Sequence, residues 1–541
     1  MIKKNAHFER RDYIFLFLIM FGLIFVRYCY YGFNYFYQLD DYIQYHNYLA
    51  YYDDKWALIK SLGMLSARPL AGLCDLFIWS RFYGCMIAAV AVISAMYAAS
   101  AVFLHKVFSK HFGTGYLFFV IFALLPLCFE GSYWVSASSR IVVGMFFASL
   151  SAYYFDLWCG EGRKRNLIIF AALQFIAFCF YEQVVLFSGA LTLVIMLLNV
   201  KGRGRSRATW GFFMFANAAV YLIITELMPT GVYGERATLF LPWQDKYYSE
   251  VFIPLLKQLR EVFISGSGAT LGKGLLRGLK LLISEPNALY VLVVPALCFA
   301  FYLLVKESRR DNISFFAELF SGLLLTLAPL VLFFILKSPW FGMRNALTSF
   351  CGLALIFDAL FDLIFGRLKS GKAAENVIVA ALALLCCIAS VSELHDYRET
   401  TLADTKIASA AGEAFRDENF KESDKVWLIN VDPSYVTDGN LYYHEHDSGV
   451  TSSSWSIVGA ISAINDMKVV PNVLPMTKEK PYIMKKSEIE KVMAFWYNGE
   501  DCVPVTFKDA ESKDAYTWKI VDSSGKVLGE LTYIFGAFKL K

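Results

Sequence analysis

Asp40 and Asp41 stand side by side just after the first long apolar run, residues 13–31, in the stretch Gln38-Leu39-Asp40-Asp41-Tyr42. Carboxylates at the mouth of an apolar domain are costly to place there, which marks them for chemistry. An inverting sugar transfer needs a carboxylate to take the proton from an acceptor hydroxyl while that oxygen attacks an anomeric carbon. Partial desolvation at a lipid–water boundary raises the basicity of such a group. A second adjacent acid raises it further or holds a divalent cation. The competing account is a solvated helix cap, since Asp is a favoured N-cap residue.

Arg68, Arg140 and Arg344 form a second set. Each falls near the end of an apolar run, and planar guanidinium binds phosphate oxygens in bidentate fashion, so together they suit a leaving phosphate. Singly, each is equally well explained as a snorkelling anchor. Glu130, Tyr133 and Trp134, in Glu130-Gly131-Ser132-Tyr133-Trp134, and Glu182, in Tyr181-Glu182-Gln183, close apolar runs where a carboxylate faces a cavity more readily than lipid. With His46 they make a candidate substrate-binding set. Tyr133 and Trp134 also suit an interfacial aromatic belt, and Lys337-Ser338-Pro339-Trp340 carries the same two accounts. Further along, Tyr443-His444-Glu445-His446-Asp447 has ligand-type residues without the spacing of a zinc helix. Ser452-Ser453-Ser454-Trp455-Ser456 offers hydroxyls and an indole face to a sugar.

The elements that must position these groups are those of a membrane domain. The chain of 541 residues is 57% hydrophobic and 17% aromatic, with only 18% charged residues, a composition of a polytopic membrane protein. A net charge of +4 spread in short clusters gives no basic face for nucleic acid. Eleven cysteines show no CxxC or Cys/His spacing and mostly lie in apolar segments, so neither a disulfide framework nor a zinc site is expected. Lys3, Lys4, Arg10 and Arg11 precede a first run that is bulky, aromatic and followed by no small-residue cleavage site, which predicts an uncleaved first helix.

About eleven runs approach the length needed to span a bilayer: residues 12–31, 82–104, 115–129, 140–158, 167–181, 183–200, 210–228, 287–305, 314–336, 345–364 and 376–392. With a cytoplasmic amino terminus, the basic loops at 105–111, 160–165, 201–207, 306–310 and 367–372 all fall inside, in accord with the positive-inside rule. The acid pair then faces outward. Two outer loops are long: 32–81 is amphipathic and Tyr-rich and carries Asp40, Asp41, His46, Asp53, Asp54 and Arg68, and 229–286 is mixed and then apolar and basic, as expected of segments lying along the interface. From 393 to 541 the sequence is mixed. Strand-like runs at 425–429, 468–470 and 518–521, with a helical pattern at 486–497, predict a small extracytoplasmic α/β domain. The expected fold is thus a polytopic α-helical membrane domain, 1–392, followed by that domain, 393–541.

This architecture resembles the GT-C superfamily of integral-membrane glycosyltransferases. Asp40-Asp41 matches the position of that superfamily's signature acids in the first outer loop. Ala67-Arg68-Pro69-Leu70 and Glu130-Gly131-Ser132-Tyr133-Trp134 look like sequence in bacterial polysaccharide-modifying glucosyltransferases of that fold. The resemblance covers residues 12–392 as architecture and only these motifs as sequence. It implies a polyprenyl-phosphate sugar as donor and a cell-surface glycan, lipid or protein as acceptor. It further implies that Asp40 or Asp41 is the base and that Arg344, Arg68 or Arg140 meets the donor phosphate. The superfamily has metal-dependent and metal-independent members, so magnesium or manganese beside the acid pair is left open. A transporter or flippase for lipid-linked sugars is the rival; it calls for internal repeats or broken helices in two matching halves, which the sequence does not display.

Overall fold

The computed structural model describes residues 10–200, 204–228, 238–305, 314–365, 371–416, 418–431, 449–478, 482–483, 485–489, 491–509 and 516–541. They form two compact units. The first holds the residues up to Tyr35 and Asp54–Leu394; the second holds Phe36–Asp53 and the described residues from His395 onward. The boundary expected at 392/393 compares with a division at 394/395, and the segment bearing Asp40 and Asp41 groups with the C-terminal residues.

The first unit is helical, and each apolar run coincides with a helix or an interrupted one. Seven stretches among the described residues are long and apolar enough to cross a membrane: Trp79–Phe112, Val135–Glu161, Arg205–Leu227, Ala288–Val305, Phe315–Ile335, Met343–Phe365 and Ala374–Phe415. The other four expected spans are shorter. Arg10–Val26 has 17 residues and Lys164–Phe178 has 15, while Leu117–Tyr133 and Glu182–Leu198 are short apolar helices.

Leu117–Tyr133 is interrupted for a local reason. Leu125 precedes Pro126, a position pushed out of the helical region, and it adopts ψ 133° before a 3-10 turn restarts the chain. The break leaves carbonyls without helical partners. Arg27, fully buried, donates to the Leu124 carbonyl at 3.1 Å, to the Tyr28 hydroxyl at 2.7 Å and to Ser132 Oγ at 3.2 Å on the far side of the break. Close approach of backbones supplies the rest: the helices Phe315–Leu327 and Phe350–Phe365 meet at Gly322 and Gly352, where a Cβ on either would strike the other's backbone.

The second expected outer loop contains a continuous helix, 247–284, with several π-helical turns. Its inner face carries Val251, Leu255, Val262, Gly266, Gly274 and Gly278, and Gly278 packs on the Ile388 carbonyl. Its outer face mixes Leu256, Ile264 and Leu276 with Lys257, Arg260 and Lys273, the composition of an interfacial helix.

The second unit is built on an eight-stranded sheet: β1 Lys425–Ile429, β2 Asn472–Met476, β3 Tyr482–Ile483, β4 Met493–Tyr497, β5 Cys502–Asp509, β6 Thr517–Asp522, β7 Val527–Ile534 and β8 Ala537–Leu540, in the order β2-β1-β4-β5-β6-β7-β8-β3. β1 runs parallel to both β2 and β4, and the other pairings are antiparallel. β1 is buried on both faces, which is why it reads as an unbroken apolar run. Val426 and Leu428 pack with Ile457 and Ile461 of the crossover helix Ser454–Asn465 and with Ile407 and Ala411 of the long helix Gly371–Phe415. Trp427 and Ile429 pack on the opposite side with Trp518, Ile520, Leu531 and Phe538.

Two local expectations are corrected. The helical pattern over 486–497 resolves into a 3-10 turn, Lys486–Glu488, and strand β4. Ala494, Phe495, Trp496 and Tyr497 are all buried between β1 and β5, so burial on two faces mimicked a helical pattern. The strand expected at 468–470 begins instead at Asn472.

Phe36–Asp53 enters the same core. Residues 40–51 are helical, with a π turn over Tyr42–Asn47, and Tyr42 is buried among Ile407, Val426 and Ile457. This helix crosses Ser454–Asn465 at Gly459, where a Cβ would collide with the Ile43 side chain. Asn47 Nδ2 donates to the Gly459 carbonyl at 3.2 Å, and the Tyr51 hydroxyl donates to Asp466 Oδ1 at 3.0 Å. Gly459→Val should therefore cost about 1–3 kcal/mol by overpacking. Gly272→Ala, in a helix with open space around it, should hold or raise stability by up to about 1 kcal/mol. Thermal unfolding of the two full-length variants against the parent checks this, and equal midpoints would remove the crossing from the account of the fold.

Candidate functional site

The sequence-selected residues of the first unit converge through shared partners. Arg68 precedes the helix Pro69–Phe77, and the Leu70 N–H donates to the Cys179 carbonyl at 3.1 Å, which fixes that helix start beside Tyr181 and Glu182. Arg68 Nε donates to both Glu182 oxygens at 3.0 and 3.1 Å, with its guanidinium 4.4 Å from the Tyr181 ring centroid. The terminal nitrogens of Arg68 make no hydrogen bond among the described residues.

Tyr181 carries the connection onward. Its hydroxyl accepts from Asn345 Nδ2 at 2.9 Å, and Gln183 Nε2 donates to the Asn345 carbonyl at 3.1 Å. Asn345 also closes the turn that presents Arg344, accepting the Gly342 N–H at 3.1 Å. Arg344 lies 5.1 Å from the Trp134 ring centroid. Gly131 brings the Phe129–Tyr133 helix against the Arg344 backbone: a Cβ there would sit 3.1 Å from the Arg344 carbonyl oxygen. Glu130 is buried next to that contact.

Arg140 belongs to the same region through Asp75, which lies about two turns into the helix that Arg68 precedes. Arg140 Nη2 and Nε donate to Asp75 Oδ2 at 2.9 and 3.3 Å, and Ser139 Oγ donates to Asp75 Oδ1 at 3.1 Å. Two of the three guanidinium groups expected to meet phosphate thus already have carboxylate partners. That arrangement holds them in place and lowers the net positive charge of the patch.

Tyr133 and Trp134 are fully buried, not surface residues of a headgroup belt. Tyr133 is enclosed by the rings of Tyr28, Tyr35 and Phe129 at 5.1–5.3 Å. The Tyr35 hydroxyl accepts the Val135 N–H at 2.9 Å. Trp340 is exposed, as a belt residue would be.

Asp40, Asp41 and His46 lie in the second unit. Asp41 is fully buried and its Oδ2 accepts the Gln38 N–H at 3.0 Å, like the reach-back arm of a capping box. Asp40 is half-buried in the first turn of the same helix. Leu39, immediately before the pair, has φ 35°, a conformation rare for a branched side chain and typical of functional turns. Gln38 is anchored in turn: its Nε2 donates to Thr401 Oγ1 at 2.9 Å and to the Tyr397 carbonyl at 3.2 Å. His46 Nδ1 shares a hydrogen with Asn47 Oδ1 at 2.8 Å, and its ring meets Tyr51 edge-on.

Asp41 commits one oxygen to the Gln38 N–H. Among the described residues no group of three or more His, Cys, Asp or Glu is disposed to hold a metal ion. Residues 443–447 lie outside the described residues. Ser456, offered above as a sugar-facing hydroxyl, is buried and donates to the Val450 carbonyl at 2.7 Å.

Sequence reasoning overlooked Arg27 and Asp75. The signal for each was present as a charge inside an otherwise apolar stretch, Phe25-Val26-Arg27-Tyr28 and Leu73-Cys74-Asp75-Leu76. Asn345 and Gln183 had no comparable signal, because uncharged amides are read only through their partners.

Comparison with family models and with curated protein sequences finds no match for this chain.

The two ion pairs differ in exposure: the Arg140 and Asp75 side chains are 15% and 5% exposed, those of Arg68 and Glu182 31% and 34%. Asp75→Ala strands a buried guanidinium and should cost about 3 kcal/mol or more. Glu182→Ala should cost under about 1 kcal/mol. Thermal unfolding of both variants checks the order, and a larger loss for Glu182→Ala would overturn it.

Proposed function

We propose that this chain is a membrane glycosyltransferase of GT-C type. It moves a sugar from a polyprenyl-phosphate donor to an extracytoplasmic glycan, lipid or protein acceptor by single displacement with inversion. In this reading about eleven helices cross the bilayer, the amino terminus is cytoplasmic and the C-terminal unit is outside. The observation that carries the reading is the network in the membrane unit. Arg68, Arg140 and Arg344 are tied together through Glu182, Tyr181, Asn345, Trp134 and Asp75, and Arg68 keeps its terminal nitrogens for an anion. Fixed guanidinium groups in an apolar domain suit a lipid-borne phosphate better than a soluble one.

The reaction assigns each group one task. Asp41 or Asp40 takes the proton from the acceptor hydroxyl, and the oxygen so activated attacks the anomeric carbon. The bond from that carbon to the phosphate oxygen breaks, and the electron pair leaves with polyprenyl phosphate. Arg344, Arg68 and Arg140 stabilise the charge that gathers there. Of the expected sugar-binding set, His46 and Glu182 keep part of their surface for a sugar, while Glu130, Tyr133 and Trp134 are buried and would act behind it. A divalent cation has no group of three protein ligands among the described residues, so no step is routed through one.

The break at Leu125–Pro126 favours a second reading, since interrupted helices are a mark of transporters. A transporter moves the lipid-linked sugar intact, whereas the enzyme cleaves it.

Purified full-length protein is incubated with polyprenyl-phosphate sugars and scored for free polyprenyl phosphate. Asp41→Asn keeps an oxygen that can accept the Gln38 N–H while removing the charge. It is expected to lower turnover by about 100-fold or more with an unchanged melting temperature, as is Asp40→Asn if that residue is the base. Arg344→Ala is expected to weaken donor binding about tenfold. Full turnover by both acid variants would remove the pair from the mechanism, and intact donor carried across vesicles without cleavage would establish the transporter.

A further inference from the structure

The second unit holds a cavity of about 600 Å3, lined by Lys425, Asn472, Ser454, Tyr482, Lys485 and Tyr533 among others. Its place follows from the sheet. β2 and β3 are the two edges of the strand order, yet Asn472 and Leu474 of β2 and Tyr482 and Ile483 of β3 line the same hollow, so the sheet curls until its edges face one another across it. Trp427, beneath the seam, packs against Tyr482 of one edge and Phe538 of β8, and pairs in register with Leu474 of the other edge. The hollow is therefore a consequence of sheet closure around a packed aromatic interior.

The lining has a consistent chemistry. Among the described residues that line it, two are lysines and none is acidic. Lys425 and Lys485 are both exposed. Tyr482 and Tyr533 offer ring faces and hydroxyls, Asn472 and Ser454 offer uncharged donors and acceptors, and Ser454 also begins the helix Ser454–Asn465, whose positive end adds to the field. The volume suits a ligand of two or three sugar rings. Ring faces for the apolar side of a pyranose, amide and hydroxyl groups for its hydroxyls, and two ammonium groups for carboxylates describe an acidic saccharide.

We propose that this cavity binds an acidic oligosaccharide, and that it serves as a subsite for an anionic glycan acceptor. The acceptor role rests on the glycosyltransferase reading; the binding itself does not. The hollow lies wholly in the second unit and shares no residue with Asp40, Asp41 or the arginine network. The two claims therefore fail separately.

The test titrates full-length protein in detergent with trigalacturonic acid, maltotriose and inorganic phosphate by calorimetry. Trigalacturonic acid is expected to bind at least about tenfold more tightly than either of the others, since it alone supplies both charge and rings. Raising salt from roughly 0.1 M to roughly 0.5 M should weaken it. The Lys425→Ala/Lys485→Ala double variant should lose about tenfold, and Tyr533→Ala should lose about threefold. Binding of maltotriose with equal affinity, binding of phosphate with equal affinity, or an undiminished affinity in the double variant with its melting temperature intact would each overturn the proposal. Loss of transfer activity with saccharide binding preserved would count against the enzyme reading alone.

Discussion

An apolar fold cannot leave a broken backbone or a buried charge without a partner, and that constraint shapes the first unit. Water is not at hand to satisfy what the helices leave open, so side chains must do it. Arg27 reaches the Leu124 carbonyl where Leu117–Tyr133 is interrupted. At the turn after Phe112, buried Asp358 accepts the Gly115 N–H at 2.6 Å and buried Glu318 accepts from the Thr114 hydroxyl at 2.6 Å. Ionisable side chains thus meet backbone and hydroxyl partners across sequence separations of 97 to 243 residues. The proposed phosphate patch follows the same rule, since Arg140 is held by Asp75 and Arg68 by Glu182 before any ligand is considered.

The basic loops answer to the same constraint at the opposite kind of helix end. Arg207 donates to the Gly160 carbonyl at 2.9 Å, where the helix Val135–Glu161 finishes, and its own carbonyl accepts from Trp158 Nε1 at 3.0 Å. Lys110 and His111, in the last turn of Met86–Phe112, both meet Asp156 at 2.7 Å. Cations placed at helix C-termini meet the negative end of the peptide dipole and the last carbonyls. Arg207, counted in a topology argument only as a loop charge, thus also binds the last turn of a helix distant in sequence.

What was legible in the sequence was whatever depends on local pattern. Apolar runs gave helices at each expected place, and Lys425–Ile429 and Trp518–Val521 gave β1 and most of β6. Where the same pattern serves two structures, it misled. Met493–Tyr497 is apolar on consecutive positions because a central strand buries both faces, and with Lys486 to Ile489 before it the spacing imitates a helix. The docking of Phe36–Asp53 beside the C-terminal sheet could not be read at all. It depends on Tyr42 entering a core drawn from residues 407–502 and on Gly459 admitting Ile43. Pairings of that sequence separation leave no periodic trace. In the candidate site, Arg68, Arg140, Arg344 and Glu182 were found by the cost of charge in an apolar context, whereas Asp75, the partner of Arg140, was passed over inside its apolar run. Asn345, which orders both Tyr181 and the turn before Arg344, carries no charge and was invisible for that reason.

The acid pair sits at a helix start, where the backbone just before it holds one of its side chains in place. Asp41 meets the description of a helix-start residue, and its bond to the Gln38 N–H uses one carboxylate oxygen. The other oxygen is directed by that bond, since a carboxylate fixed at one end has little rotational freedom left. Leu39 adds to the constraint: at φ 35° it occupies a conformation costing about 1–3 kcal/mol, which persists only where the surroundings enforce it. Gln38 supplies that enforcement through Thr401 and the Tyr397 carbonyl. A cap needs no strained residue in front of it, and many helices start without one. A base that must meet an acceptor hydroxyl in one orientation does gain from a rigid mount. Under the proposed function, the turn at Leu39 would serve the direction in which Asp40 and Asp41 are held as well as the start of the short helix.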